Sequence, residues 1–521
     1  MNLTVRYIAR IVVEAQTPLA VGSGEKGLNT DRLVVKDANG LPYIPGTSLT
    51  GVLRHNVEED WVKNVFGYGG EDGEGSRLIV SSGFLIGDDG VTVMEGLRKV
   101  DIENVYFSYF NRLPERDHVR INHRGVADVE GRGKFDEELV HKGTRFMFEI
   151  KLLADESCDD WKIWKKLIYT IDSPLYRIGA GTRKGFGSLK IIPELSYWKK
   201  WDLTIKDDLL DFIHNPGSLN GNTKNWNQLD PAEFQVDEID SKGWVDYSVL
   251  LKATDFFSFS AGYGDHDANR IPKTESFFDW SSGKPILTKS ANVLIPATSI
   301  KGALSHRTAF YYNQLKQNYI QSNRSDISTK LDFDKIVNDL IERFSLNEIE
   351  FSADSSEWND LEEAIENIGM EDVDEWNRFR HKLDLEIDDL TNKSLPVAES
   401  NYAVQQLFGY AKSTGNENGG QRGRVIIEDV YISADRVEEK VFNHTFIDRF
   451  TGGTRDGALF QEKVIYPKEP VQISIWVERN ALIDDTVKTA FQKALEDLKN
   501  GRLALGGSTT KGHGVFQSIE N

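Results

Sequence analysis

Asp31 stands on a polar stretch, NTDRLVVKD, between a glycine loop at residues 22–27 (GSGEKG) and the segment IPGTSLTGVLR at residues 44–54. A carboxylate on such a loop can hold a hard divalent cation or serve a turn, and its type alone permits both. A second set of acids, Asp265, Asp267 and Glu275, lies in the loop GYGDHDANRIPKTESFFDW. The cations gather elsewhere. VRINHRGVADVEGRGKF carries Arg120, His123, Arg124, Arg132 and Lys134 among small residues, and FIDRFTGGTRDGALF carries Arg449 and Arg455. Small and basic residues with an apolar flank suit a hairpin that touches phosphates and wedges between bases, or an ordinary hairpin with solvated charges. Two further glycine-rich loops, IGAGTRKGFGSLKI at residues 178–191 and LGGSTTKGHGVF at 505–516, bring Arg177, Arg183 and Lys184, or Lys511 and His513, to backbone that a polyanion can approach. They are equally readable as tight turns needed for packing.

Several chemistries have no foothold. GSGEKG formally fits GxGxxG, but NTDRLVVKD follows it instead of an apolar helix, and neither C-terminal loop satisfies GxxxxGK[ST]. Zinc spacing and a GxSxG elbow are both missing from the sequence. The single cysteine, Cys158, excludes an internal disulfide framework and fits a reducing cytoplasm. No apolar run approaches the ~18 residues of a membrane span, and MNLTVRYIARIVVEA alternates like a strand, so a soluble cytoplasmic protein without membrane contact is expected. The net charge of −20 opposes nucleic-acid binding at face value. Residues 321–395, however, hold 21 Asp and Glu against 8 Lys and Arg, which leaves the rest of the chain nearly balanced.

The elements that must position these residues are written twice. IPGTSLTGVLR returns as IPATSIKGALSHR at residues 295–307, and NVFGYG at 64–69 returns as QLFGYA at 406–411. HRGVADVEGRGKFDEELV returns as DRFTGGTRDGALFQEKV, with Arg124, Phe135 and Glu137 falling on Arg449, Phe460 and Glu462 at a constant offset of 325. The two C-terminal glycine loops complete the ordered set, which implies two copies of one domain. In the first copy RYIARIVVEAQTPLA reads as a strand by alternation, and TSLTGVLRHNVEEDWVKNVF as a helix capped by Thr47 or Ser48. Residues 81–109 and 144–154 read as strands, 160–171 as a helix and GSLKIIPEL as the last strand. That βαββαβ order predicts an α+β fold of two tandem ferredoxin-like domains, at residues 1–195 and 246–521. Residues 196–245, with their HNPGSLNGNTKNWNQ cluster, read as a linker. The first two motif pairs lie at offsets of 251 and 342, so the second copy carries about 91 extra residues at about 310–400, where the spacing predicts an acidic helical insertion.

In combination, the glycine loop, TDRLVVKDANGLPYIPGTSLTGVLR, the FG pair, IDRFTGGTRDGALFQEKV and GAGTRKGFGSLKI resemble the RAMP superfamily, and within it the backbone subunits of type III CRISPR effector complexes. The resemblance covers both copies. It implies RRM-like domains with hairpin thumbs that polymerise along a guide RNA, alongside other Cas subunits and a target single-stranded RNA. It implies that residues 45–51 and 296–302 lie near the guide backbone. Ser48, Arg54, Ser299, Lys301 and Arg307 thereby join Arg120, His123, Arg124, Arg132, Arg183, Lys184, Arg449, Arg455 and Lys511 as candidate RNA contacts. It also implies that the hairpins at 123–139 and 448–464 displace a target nucleotide at intervals, and that an aspartate at the place of Asp31 cuts the target there with a divalent metal, Mg2+ or Mn2+.

The second copy departs from that pattern. Its loop is longer, and counting from Gly264 the acid's place falls nearer Glu275 than Asp267. Three functions therefore stand: a fused subunit that binds guide RNA and cuts target RNA, with one or two cutting copies; a purely architectural guide-binding subunit; and a metal-independent guide-processing nuclease relying on histidine. For the last, His123 and His513 are available, but no histidine is matched between the copies.

Overall fold

The computed structural model describes residues 3–27, 30–57, 59–70, 73–101, 103–121, 127, 133–235, 243–318, 395–411, 420–454, 457 and 459–519. Most of the expected acidic insertion, and His123, Arg124, Arg132 and Arg455, lie outside them. Among the described residues no helix is long and apolar enough to cross a membrane.

In the first copy the strand Val5–Ala15 pairs antiparallel with Arg145–Ala154, in register from Val5↔Ala154 to Glu14↔Arg145, and on its other side with Leu189–Ile191. Leu78–Val80 adds to the far edge of Arg145–Ala154. Helix Gly46–Asn56 follows the first strand and helix Cys158–Ile171 the third, so the sheet runs fourth, first, third, second: the ferredoxin-like order. RFMFEIKLLA shows how sequence sets this. Its alternate residues Phe146, Phe148, Ile150, Leu152 and Ala154 are buried, in one core with Leu49 and Leu53 of the first helix and Trp164, Leu167 and Ile171 of the second.

Three local expectations need correction. The first helix is not capped by Thr47 or Ser48: Pro45 is its N-cap, entering at φ −56°, and no side chain caps it. Gly46 sits so close to the Val80 carbonyl that a Cβ there would lie 2.6 Å from its oxygen. The strand reading of residues 81–109 stops early, because Asn104 caps a helix at Val105–Asn111. Most consequential, residues 196–235 are not a spacer. Tyr197–Asp202 pairs with the first strand, from Val5↔Asp202 to Arg10↔Tyr197, and Leu219, Leu229 and Phe234 are buried in the first core. This cover turns the alternating first strand into one buried on both faces. Arg10, almost fully enclosed, donates to Glu149 (3.1 Å) and to the carbonyls of Gly221 (3.0 Å) and Pro216 (2.7 Å), which compensates its burial.

The second copy repeats the order with interruptions. Val249–Ala253 lies between Phe516–Ser518 and Val471–Ile473, and Ile475–Glu478, just beyond the latter, pairs with Val425–Ile427. Helices Ala297–Leu315 and Asp485–Lys499 take the two helical places. The chain forms two compact units, residues 1–303, 424–480 and 497–521 in one, and 304–423 and 481–496 in the other. The first unit holds the strands Val5–Ala15 and Val249–Ala253 with their pairing partners. In the second, Asn401 caps helix Tyr402–Phe408 and donates to Asn313 (3.1 Å), and the Phe408 and Phe491 rings lie 6.2 Å apart.

Within the first unit the copies interlock. The Phe278 N–H donates to the Lys142 carbonyl (2.9 Å), Trp280 Nε1 donates to the Gly143 carbonyl (2.7 Å), and both rings join the first copy's core.

Candidate functional site

In the first copy Glu115–Val119 and Lys134–Glu138 form a hairpin with His118 opposite Phe135. The loop that carries Asp31 is laid along this hairpin. The Asp31 N–H donates to Asp136 Oδ1 (2.8 Å), and the Asp136 N–H donates back to Asp31 Oδ2 (3.3 Å). The Glu138 N–H donates to the Arg32 carbonyl (3.0 Å) and the Val34 N–H to Glu138 Oε2 (2.9 Å). Asp31 is thereby held exposed at the hairpin's base.

Beneath it lies a compact charged cluster. The His118 ring stacks on Phe135 at 4.8 Å, and its Nε2 lies 2.9 Å from Oε1 of the fully buried Glu137. Arg32 and Lys184 stand 5.7 and 4.3 Å from the Phe135 ring centre. Burial works to raise the Glu137 carboxyl, but His118, Lys184 and Arg32 overcome it and hold the group below its usual range. Burial lowers the Lys184 ammonium, with Glu137 opposing.

The second copy builds the same cluster. Val437–His444 pairs with Phe460–Pro467, His444 stacks on Phe460 at 4.7 Å, and its Nε2 lies 3.3 Å from Glu462. Arg270 and Lys511 stand 5.4 and 5.3 Å from the Phe460 ring. The loop is pinned alike: the Lys463 N–H donates to the Arg270 carbonyl (2.8 Å), and the Gln461 N–H donates to Asn269 Oδ1 (2.8 Å). Arg270 thus matches Arg32, Lys511 matches Lys184, Asn269 stands where Asp31 stands, and Gln461 where Asp136 stands.

These contacts correct the sequence reading in two ways. A histidine is matched between the copies after all: His118 and His444 differ by 326, one residue off the 325 register that their Phe and Glu partners keep, and that single slip hid them. Being packed beneath Phe135, His118 is a support for the hairpin and not an exposed base. Second, counting from the loop glycine misplaced the second acid. Asp267 is exposed two residues before Asn269, and its N–H donates to Asp265. Lys463 and the turn's own N–H groups pull the Asp265 carboxyl down to about 2. Glu275 is gripped by both ends of a fork from Arg116, at 2.7 and 2.6 Å, and the same guanidinium donates to Asp429 at 2.6 Å.

Of the remaining candidates among the described residues, the structure gathers only Lys184 and Lys511 at the two clusters. Arg183 lies 3.2 Å from Glu478 and 5.0 Å from the Trp244 ring centre. Ser48 is half-buried in the first turn of its helix and Arg54 is exposed at that helix's end; Ser299 and Lys301 lie near the start of Ala297–Leu315. Arg307 stands 5.9 Å from the Phe310 ring. Arg120 and Arg449 are exposed near the hairpin ends. The C-terminal loops owe their glycines to packing: with φ of +84° and +75°, Gly187 and Gly514 bring their α-carbons so near Ile178 and Leu505 that a Cβ would lie 2.3 and 1.9 Å from those carbonyl oxygens.

Two copies of a ferredoxin-like fold, each with a hairpin and a glycine loop at its base, agree with the comparison to known families: the sequence model of the RAMP superfamily matches residues 12–190 and 284–517. The chain belongs to the RAMP superfamily. Among curated proteins no match is found. Membership points to CRISPR-associated RNA binding by this RAMP protein, and the two matched stretches fall on its two copies. The segment that completes the first sheet, residues 197–202, lies outside both.

Proposed function

We propose that this RAMP protein is a tandem backbone subunit of a type III CRISPR effector complex that grips guide RNA and cleaves complementary target RNA beside Asp31. The placement of Asp31 carries this reading: an exposed carboxylate pinned through its own backbone to the base of a hairpin, with Arg32 and Lys184 on the neighbouring ring. The cations suit phosphates, which position a strand without reading its sequence. At the second hairpin Phe446, Ile447 and the wholly exposed Phe450 offer apolar surface that suits wedging between bases.

Among the described residues no three His, Cys, Asp or Glu side chains are gathered to hold a metal by themselves. Asp31 and Asp136 nevertheless supply two hard anionic donors, which fits Mg2+ or Mn2+ shared with phosphates of the substrate. Such an ion, when bound, would stabilise the charge that builds on the leaving oxygen. The chain's own contribution is orientation. A strand bent at the hairpin presents a 2′-oxygen in line with the next phosphorus; attack breaks the bond to the 5′-oxygen and leaves a 2′,3′-cyclic phosphate and a 5′-hydroxyl.

Replacing Asp31 with Ala is expected to remove a target cut by at least 100-fold while guide binding stays within two-fold of wild type. Mapping labelled target fragments from the guide-loaded complex checks this. Loss of guide binding would assign Asp31 to the fold, and unchanged fragments would leave an architectural subunit.

A further inference from the structure

We infer that the second copy grips RNA without cutting it, silenced by two carboxamides, Asn269 and Gln461, that occupy the places of the carboxylates Asp31 and Asp136. The inference rests on the function proposed above. Asn269 keeps the shape and the hydrogen bond of its counterpart, accepting the Gln461 N–H at 2.8 Å as Asp31 accepts the Asp136 N–H at 3.3 Å. What it lacks is charge. An amide oxygen is a neutral donor, and the number of anionic ligands sets how strongly a hard cation is held. Here both anionic positions are neutral, whereas the parts suited to phosphate and to supporting the hairpin, Arg270, Lys511, Phe460, His444 and Glu462, are all kept. Among the described residues Asp265 is bound by Lys463 at 3.0 Å, both oxygens of Glu275 accept from Arg116, and Asp267 stands two residues off the place of Asp31, its backbone tied into the turn of Asp265.

The test uses the guide-loaded complex, end-labelled target and four proteins: wild type, Asp31→Ala, the pair Asn269→Asp with Gln461→Asp, and all three substitutions together. Target affinity, measured by filter binding, is expected to stay within two-fold throughout. Wild type should make one cut attributable to this chain, Asp31→Ala none, the Asn269→Asp and Gln461→Asp pair two, and the triple variant only the new one. A second wild-type cut that survives Asp31→Ala and is lost on removing Asp267 overturns the inference and leaves the proposed function standing. A single cut from the Asn269→Asp and Gln461→Asp pair that binds target normally also overturns it. A wild-type complex that binds target and never cuts removes the proposed function and this inference together.

Discussion

Glu137 carries a charge with no water around it, and its neighbours decide whether it keeps that charge. Burial pushes its carboxyl upward from the ordinary 4.5, while His118, Lys184 and Arg32 pull harder in the other direction. A carboxyl held below its unfolded value stabilises the fold above that value and loses the contribution as pH falls through the folded one. Glu137→Gln is therefore expected to cost about 1–3 kcal/mol at pH 7. The gap to wild type in urea unfolding should narrow as pH drops below 4.5, and a gap that stays constant from pH 7 to pH 4 would contradict the assignment. The other carboxylates titrate in both proteins and largely cancel in the difference. Phe135 and Glu137 were visible in the sequence as repeated letters, but their partner His118 was not, because the second hairpin is one residue shorter between His444 and Phe460 than the first between His118 and Phe135, which breaks the register. Asn269 was hidden for a related reason. Its place is set by the Gln461 N–H, which donates to the Asn269 side chain, and by the Lys463 N–H, which donates to the carbonyl of the adjoining Arg270, both far along the chain, and not by distance from a glycine in its own loop.

At the level of elements, the first hairpin does more than flank a site. Its strand Glu115–Val119 sends Arg116, which is nearly inaccessible to solvent, to Glu275 and Asp429 of the second copy. Asp429 in turn accepts the Ala297 N–H at 2.8 Å, which satisfies the start of the second copy's first helix. Replacing Arg116 with Met removes the cation that binds both acids. Breaking such a pair costs about 3–5 kcal/mol, to be read from denaturant unfolding. A loss under about 1 kcal/mol would mean that water reaches the acids. This arrangement explains what was legible and what was not. The βαββαβ order and the duplication show in local patterning, and both are found in the fold. The role of Glu275 could not be read locally, since its partner lies 159 residues away. Residues 196–235 misled for the opposite reason: Asn, Gly and Pro announce turns, but Tyr197–Asp202 and the apolar Leu219, Leu229 and Phe234 between and after them bind to a sheet formed earlier in the chain.

For the whole molecule the charge balance poses the sharpest question, because a chain with a net charge of −20 is proposed to hold RNA. The excess acid is concentrated in residues 321–395, and screening confines its influence to about 10 Å at 0.1 M salt. The cations beside the two hairpins offer local charge for such a grip. Arg32 and Lys511 are exposed and stand over matched aromatic rings in the two copies. If each neutralises one phosphate, the slope of log affinity against log salt for guide RNA falls by about 0.7 on removing it. Arg32→Gln and Lys511→Gln should each flatten the slope by that amount, the double variant by about twice as much, and all three by the same amount for guides of unrelated sequence. Titrating the intact protein with guide RNA across a salt series measures this. A variant that binds more weakly with an unchanged slope would show that the side chain acts through packing on its ring, and unequal losses among guide sequences would show base reading where the geometry offers phosphate contact alone.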